Sequence, residues 1–502
     1  MRIRGSAIKT PGGTMASLAR HVPAAVAAWF IFACSTSAAV RGFKVTTDRT
    51  VDTTSLETIV ADVWRLSGAK TNDEKAIALY EWLHNTIFHW AYPTEPAPQS
   101  VGPLKVINAY GWGLCGGQHT VLKALYETAG WECRYVGWSN PGHTTIEVKY
   151  DDRWHYFDVF LKCYFWTKDR KTIASQEEIA ADPSIVLDAV KEGRAARQHL
   201  CCGDSEQGVI SGCKSRRVVG NSKGWASVTW RDQNYSPLVN MPAGSMLRLS
   251  WNAEPDGFAV KGKPPQHGCG LKDIRGDKVL GPIAEHYGPR NWSNGTFLYE
   301  PDFSKNAALA DIELQNARAQ DGKIVATGGK GVAIFRAALP YPYVRAKVAT
   351  TFEGGDGTVT VSTDAGKTWK TAAGPDISDI VRQRYDVFIK VEFPAALTKF
   401  SLQALIEHNR GAQPFLYHGR NVVTVSAEGG QIPAGCSLEV TYAFQEAADP
   451  GNRPRFDGKG LTYSEEKKVA RRITSLPCTF DITVGGNTPP KMLYLERAVR
   501  CD

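Results

Sequence analysis

The chain has 502 residues, 43% of them apolar and 22% charged, an ordinary globular composition that predicts two to four domains. The net charge of +8 is dispersed, and its densest run, EEKKVARR at 465–472, carries its own acids. Nucleic acid is therefore excluded as the expected partner, whereas a mild positive field suits acidic or cell-wall polymers. The 14 Trp and 47 Gly suit many short strands joined by turns.

At the N-terminus, Arg2, Arg4, Lys9, Arg20 and His21 precede the apolar run PAAVAAWFIFAC and the small residues STSAAV. These are the three parts of a secretory signal peptide, expected over 1–39 with cleavage near Ala39. Met15 as the start would give a shorter charged region, and an uncleaved anchor is the alternative. Cys34 hints at a lipoprotein site, although Phe32 fits that pattern poorly. No other stretch is long enough to cross a bilayer, so the expectation is a secreted or exported protein (periplasmic or extracellular) with no transmembrane span after signal removal.

TNDEKAIALYEWLHNTI opens with a capping box, Thr71 and Glu74, and places Ile77, Tyr80, Leu83 and Ile87 on one helical face. His84 and His89 receive no role. The prolines of PTEPAPQSVGP mark a loop. In GWGLCGGQHTVLKALYETAG the glycines predict a tight turn into a helix whose apolar positions are Val121, Leu122, Leu125 and Ala129, with Gly130 as the stop. Cys115 thus stands at a helix N-terminus. ECRYVGW, HTTIEVKY and RWHYFDVF read as strands with Asp151-Asp152 as a turn, and SQEEIAADPSIVLDAV as helical. From about 225 onward, Gly, Asn, Asp and Pro punctuate strand-like runs such as SMLRLSW, GVAIFRA, YDVFIKVEF and SLEVTYAF. The predicted layout is an α+β domain at 40–190, a Cys-containing linker at 191–235, β-sandwiches at 236–345 and 346–486, and a loosely held tail at 487–502.

A cysteine thiol becomes a nucleophile as its thiolate, which the N–H groups of a helix N-terminus stabilise. It also needs a base, and the base an orienting partner. With a two-residue turn at Asp151-Asp152, Tyr150 faces Arg153 and Thr145 faces Asp158. His143 and Asp158 then share a face as diagonal neighbours, about 7–8 Å apart at Cα and within reach of a hydrogen bond.

The motifs GWGLCGGQH, AGWECRYVGW and GHTTIEVKYDDRWHYFD, in that order, resemble the transglutaminase-like, papain-related cysteine enzymes over roughly residues 70–185. The resemblance implies a papain-like α+β domain with Cys115 as nucleophile, His143 as general acid and base, and Asp158 as orienting carboxylate. It further implies acyl transfer through a Cys thioester, ending in hydrolysis or in a cross-link to an amine. Val159 follows Asp158 where many relatives have proline, and Cys133 replaces a small apolar residue. Trp112 and the Cys115 N–H are the oxyanion candidates.

Of the 11 cysteines, Cys34 falls in the signal segment, Cys115 is the candidate nucleophile and Cys133 is expected as a buried thiol. The even remainder, Cys163, Cys201, Cys202, Cys213, Cys269, Cys436, Cys478 and Cys501, is expected to form disulfides, including within CCGDSEQGVISGC. STDAGKTW at 362–369 resembles the Asp box, a structural hairpin turn using Asp364, Gly366 and Trp369. His267-x-Cys269 is a lone metal-ligand pair; with no complete EF-hand loop, Walker loop, Rossmann fingerprint or H-E-x-x-H, neither metal nor cofactor is expected. The fold class is thus multidomain: an α+β transglutaminase-like (papain-like) domain followed by all-β sandwich domains. The expected activity is a secreted cysteine acyltransferase, amidase or protease acting on a protein or peptide substrate, cell-wall or extracellular polymer included. The alternative is an inactive extracellular binding or assembly protein, with sandwich aromatics such as Trp292 or Tyr341 stacking on carbohydrate.

Overall fold

The computed structural model describes residues 39–97, 99–194, 206–220, 235–260, 292–451 and 460–501, and the backbone of 224–225 and 228–229. Residues 1–38 of the expected signal peptide, Cys201, Cys202 and the His267-x-Cys269 pair lie outside the described residues.

In the N-terminal half, helices form where caps and apolar spacing agree. Thr71 and Glu74 make the predicted reciprocal box at the start of Asn72–Thr86, and Ser55 with Thr58 makes another before Leu56–Ser67. The helix Cys115–Thr128 buries Val121, Leu122, Leu125 and Tyr126 completely and ends before Gly130, whose φ is +89°. The strands Glu132–Ser139, Gly142–Tyr150 and Arg153–Phe157 form an antiparallel sheet beside it. Asp151 and Asp152, at φ 49° and 59°, close the two-residue turn, and the register Tyr150↔Arg153 to Ile146↔Phe157 has the expected parity. SQEEIAADPSIVLDAV forms two helices, Gln176–Ala181 and Ser184–Lys191, because Pro183 bars Asp182 from helical geometry.

Within the segment expected as a linker, residues 206–220 pack into this domain. Helix Glu206–Lys214 buries Val209, Ile210 and Cys213 in a core shared with Trp138, and strand Arg216–Gly220 pairs with Glu132–Ser139. The helix passes so close that a Cβ on Gly212 would fall 2.0 Å from the Trp138 ring.

Beyond 235 the described chain is mostly strand. A four-stranded sheet orders Val239–Met241, Val40–Thr47, Gly419–Ser426 and Cys478–Val484, so the strand opening the expected α+β domain belongs to the β region. A five-stranded sheet includes Gly331–Ala338 and Asp386–Phe393. A ten-stranded sheet runs through Ala396–Asn409, Trp292–Tyr299, Ser245–Ser250, Thr488–Cys501 and Cys436–Ala448. One continuous core, from Val40 through Leu247, Phe335, Val387 and Val423 to Val499, joins all three sheets. The expected boundary at 345/346 falls inside strand Tyr343–Glu353, which pairs with Ala396–Asn409, so the two halves are not separate sandwiches.

The expected tail is also corrected. Thr488–Cys501 is a 14-residue strand between Ser245–Ser250 and Cys436–Ala448, and Cys501 is disulfide-bonded to Cys436. That bond closes a loop of 65 residues, worth about 4 kcal/mol by chain entropy. Reducing it, or replacing both cysteines by serine, is expected to lower the thermal midpoint by several degrees in a calorimetric scan. Cys213 and Cys478 are free thiols and the buried Cys163 forms no disulfide with another described cysteine, against the expectation of disulfides, while Cys133 is a buried thiol as expected.

Ser362 to Trp369 forms a tight turn: Ser362 Oγ binds Asp364 and accepts from the Gly366 N–H, and Asp364 accepts from the Thr368 N–H and hydroxyl.

Candidate active site

Cys115 is the first residue of its helix. Leu114, the N-cap, supplies no side-chain cap, so the first-turn N–H groups are left for other acceptors. The backbone N–H groups of Gly116 and, on strand Gly142–Tyr150, Thr144 act on the Cys115 thiol, as does the His143 ring. Its burial raises its pKa, but His143 and the two N–H groups outweigh this, and the net shift is downward.

The His143 Nε2 lies 2.7 Å from Asp158 Oδ2, leaving Nδ1 for the thiol. Burial disfavours the charged ring, yet the Asp158 charge and its hydrogen bond prevail, holding the His143 pKa up to about 10. Trp138 and Phe160 stand 5.1 and 5.0 Å from the ring and shield it from water.

Asp158, one residue past strand Arg153–Phe157, is fully buried. Its Oδ2 also accepts from the Tyr156 hydroxyl at 2.9 Å, and its Oδ1 from the N–H groups of Phe160 at 3.1 Å and Leu161 at 2.7 Å. Burial would raise its pKa, but His143 and His119 keep it well below the usual carboxylate range. Cys115, His143 and Asp158 therefore meet in one connected cluster.

Two members were missed in the sequence. His119 stands one helical turn beyond Cys115; its Nδ1 donates to the Cys115 carbonyl at 2.8 Å and its Nε2 faces Asp158 Oδ1 at 3.4 Å. The i, i+4 spacing from Cys115 was the available signal. Tyr156 shares a strand face with Asp158 by the period of two. Replacing His119 by glutamine is expected to slow alkylation of Cys115 about tenfold at pH 6, the scale of one contact to a charged group; stopped alkylation with peptide mass mapping checks it.

His119, His143 and Asp158 offer ligand atoms within 4.8 Å of one another. The four hydrogen bonds that Asp158 already accepts suit an orienting carboxylate better than a metal ligand.

Trp112 is corrected as an oxyanion donor. Its indole N–H is buried and donates to Glu407 Oε1 at 2.9 Å. Trp292 and Tyr341, at 1% and 3% exposure, present no face for sugar stacking.

A search of curated proteins gave no match. Residues 61–159, which include Cys115, His143 and Asp158, match the family model of the transglutaminase-like superfamily, so the N-terminal half of this chain carries a transglutaminase-like domain.

Proposed function

We propose that the protein is a cysteine enzyme acting on amide bonds through a thioester at Cys115. The observation that carries this reading is the grouping of a helix-terminal thiol with an imidazole whose Nε2 lies 2.7 Å from a fully buried carboxylate. The Cys115 sulfur, as thiolate, attacks the amide carbonyl carbon. The carbonyl oxygen takes the negative charge, with the Cys115 N–H as its proposed donor. The carbon–nitrogen bond breaks as His143 gives its Nδ1 proton to the leaving nitrogen, releasing ammonia or an amine. Water or a primary amine then attacks the thioester, His143 takes the incoming proton, and the thiolate leaves, giving an acid or a new amide. Asp158 holds the ring throughout by its Nε2 contact.

Export is part of the proposal. The Cys436–Cys501 disulfide and the charged, apolar and small-residue segments at the N-terminus support it. No helix among the described residues is long and apolar enough to cross a membrane.

The test is incubation with glutamine-containing peptides, with and without a primary amine, followed by intact-mass analysis after acid quench. An acyl adduct on Cys115 with release of ammonia is expected, and its absence from Cys115→Ser is the control. Folded protein that forms no adduct with any amide substrate would favour the binding-protein reading.

A further inference from the structure

The approach to Cys115 is held from the far end of the chain. Strand Ala396–Asn409 belongs to the ten-stranded sheet, and its last residues reach the α+β half. Glu407 and Asn409 project on one face of that strand. Glu407 is fully buried, with Oε1 accepting from the Trp112 indole at 2.9 Å and Oε2 from the Ala259 N–H at 2.6 Å. The Asn409 amide donates to the carbonyls of Thr86, at 3.0 Å, and Ile107, at 2.6 Å, while its oxygen accepts from the Gly411 N–H at 2.7 Å. It lies so close to Gly111, whose φ is +71°, that a Cβ there would fall 2.6 Å from the Asn409 side chain.

These contacts converge on one short segment. Thr86 ends helix Asn72–Thr86, Ile107 lies in the turn before Gly111, and Trp112 is three residues from the nucleophile. Strand Phe88–His89 fixes the backbone of Trp112 and Gly113 by parallel pairing, with the Trp90 N–H on the Gly113 carbonyl at 3.0 Å. Phe258, Trp292 and Ala412 are built into the hydrophobic core of the α+β half. The β region thus supplies core and polar anchors to the nucleophile's domain.

We infer that Glu407, with Asn409, is a positioning residue for the nucleophile: it holds Trp112, and through Trp112–Leu114 the start of the Cys115 helix, making the β region part of the active site's framework. The inference rests on the proposed role of Cys115. Glu407 has no ion-pair partner among the described residues. The titratable groups near it are Tyr110, whose acidity it weakens, and Arg382, which donates to the Phe258 carbonyl beside Ala259; His408 and Arg410 are its neighbours in the chain. Burial pushes Glu407 up to about 7, against the pull of the Ala259 and Trp112 donors. Both its oxygens face N–H donors, so taking up a proton sacrifices one of the two contacts. Neutral Glu407 then resembles glutamine, and only the carboxylate accepts both bonds.

The test compares Cys115 alkylation by iodoacetamide in wild type, Glu407→Gln and Trp112→Phe from pH 5 to 8.5, with the thermal midpoint measured alongside. The wild-type to Glu407→Gln rate ratio is expected near 1 at pH 5 and about tenfold at pH 8, with its midpoint near 7. Trp112→Phe is expected to slow alkylation with no step of its own relative to Glu407→Gln. A ratio that stays flat with pH in folded variants overturns the inference. Wild-type Cys115 that reacts no faster than an ordinary thiol would instead overturn the proposed function, so the two failures are distinguishable.

Discussion

Replacing His143 by alanine is expected to lower the alkylation rate of Cys115 at pH 6 by about 10²-fold or more, the scale of a positioned acid–base group. Burial acts on the Cys115 thiol in the unfavourable direction and is its largest single influence. His143 acts in the opposite direction, and together with the Gly116 and Thr144 N–H groups it turns the net shift downward. Without the imidazole, only the N–H groups of Gly116 and Thr144 remain to offset burial, so the thiol should react more slowly than an exposed cysteine. Mapping the alkylated peptide separates Cys115 from Cys478, the other partly exposed free thiol among the described residues. Cys133, Cys163 and Cys213 are buried and serve as internal controls. Equal rates in the two proteins would show that the ring does not activate the sulfur.

The second large effect is on stability. Asp158→Ala is expected to cost about 3–5 kcal/mol, because it leaves the buried His143, the Tyr156 hydroxyl and two backbone N–H groups without their acceptor. Asp158→Asn keeps an acceptor oxygen and should recover part of that loss, so urea midpoints of the two variants separate charge from hydrogen bonding. The pH dependence has a definite sign. His143 is held above its ordinary 6.5, up to about 10, so its contribution is full below about 6.5 and fades as pH rises towards 10. Asp158 is held below its ordinary 3.8, so its contribution is full above that value and lost only in acid. The gap in stability between wild type and Asp158→Ala should therefore be widest near pH 5–6.5 and narrow towards pH 10. A gap that widens with alkali would contradict the ion pair.

Much of the N-terminal half was legible because local rules decided it. The Thr71–Glu74 box, the helix after the glycines and the Asp151-Asp152 turn each follow from neighbouring residues, and turn parity alone brought His143 and Asp158 to one face. What was not legible depended on distant partners. Trp112 looked available at the approach to Cys115, yet its indole is claimed by Glu407, 295 positions away. His119 was visible as a helix neighbour of Cys115, but what it faces is set by where the hairpin docks. Cys501 was read as tail because its pairing with Cys436 arises only when the last strand enters the sheet. The region after 190 was read as a linker because helix Glu206–Lys214 is short and its Gly212 contact with Trp138 has no local signature.

The most direct measurement of the central claim is the pH profile of Cys115 alkylation from pH 4 to 9, mapped by mass spectrometry on wild type and His143→Ala. A thiolate–imidazolium pair predicts rapid labelling of Cys115 below pH 7 in wild type and its loss in the variant. A wild-type Cys115 whose labelling rises only with the alkaline profile of an ordinary thiol, unchanged by the His143 substitution, would contradict the account.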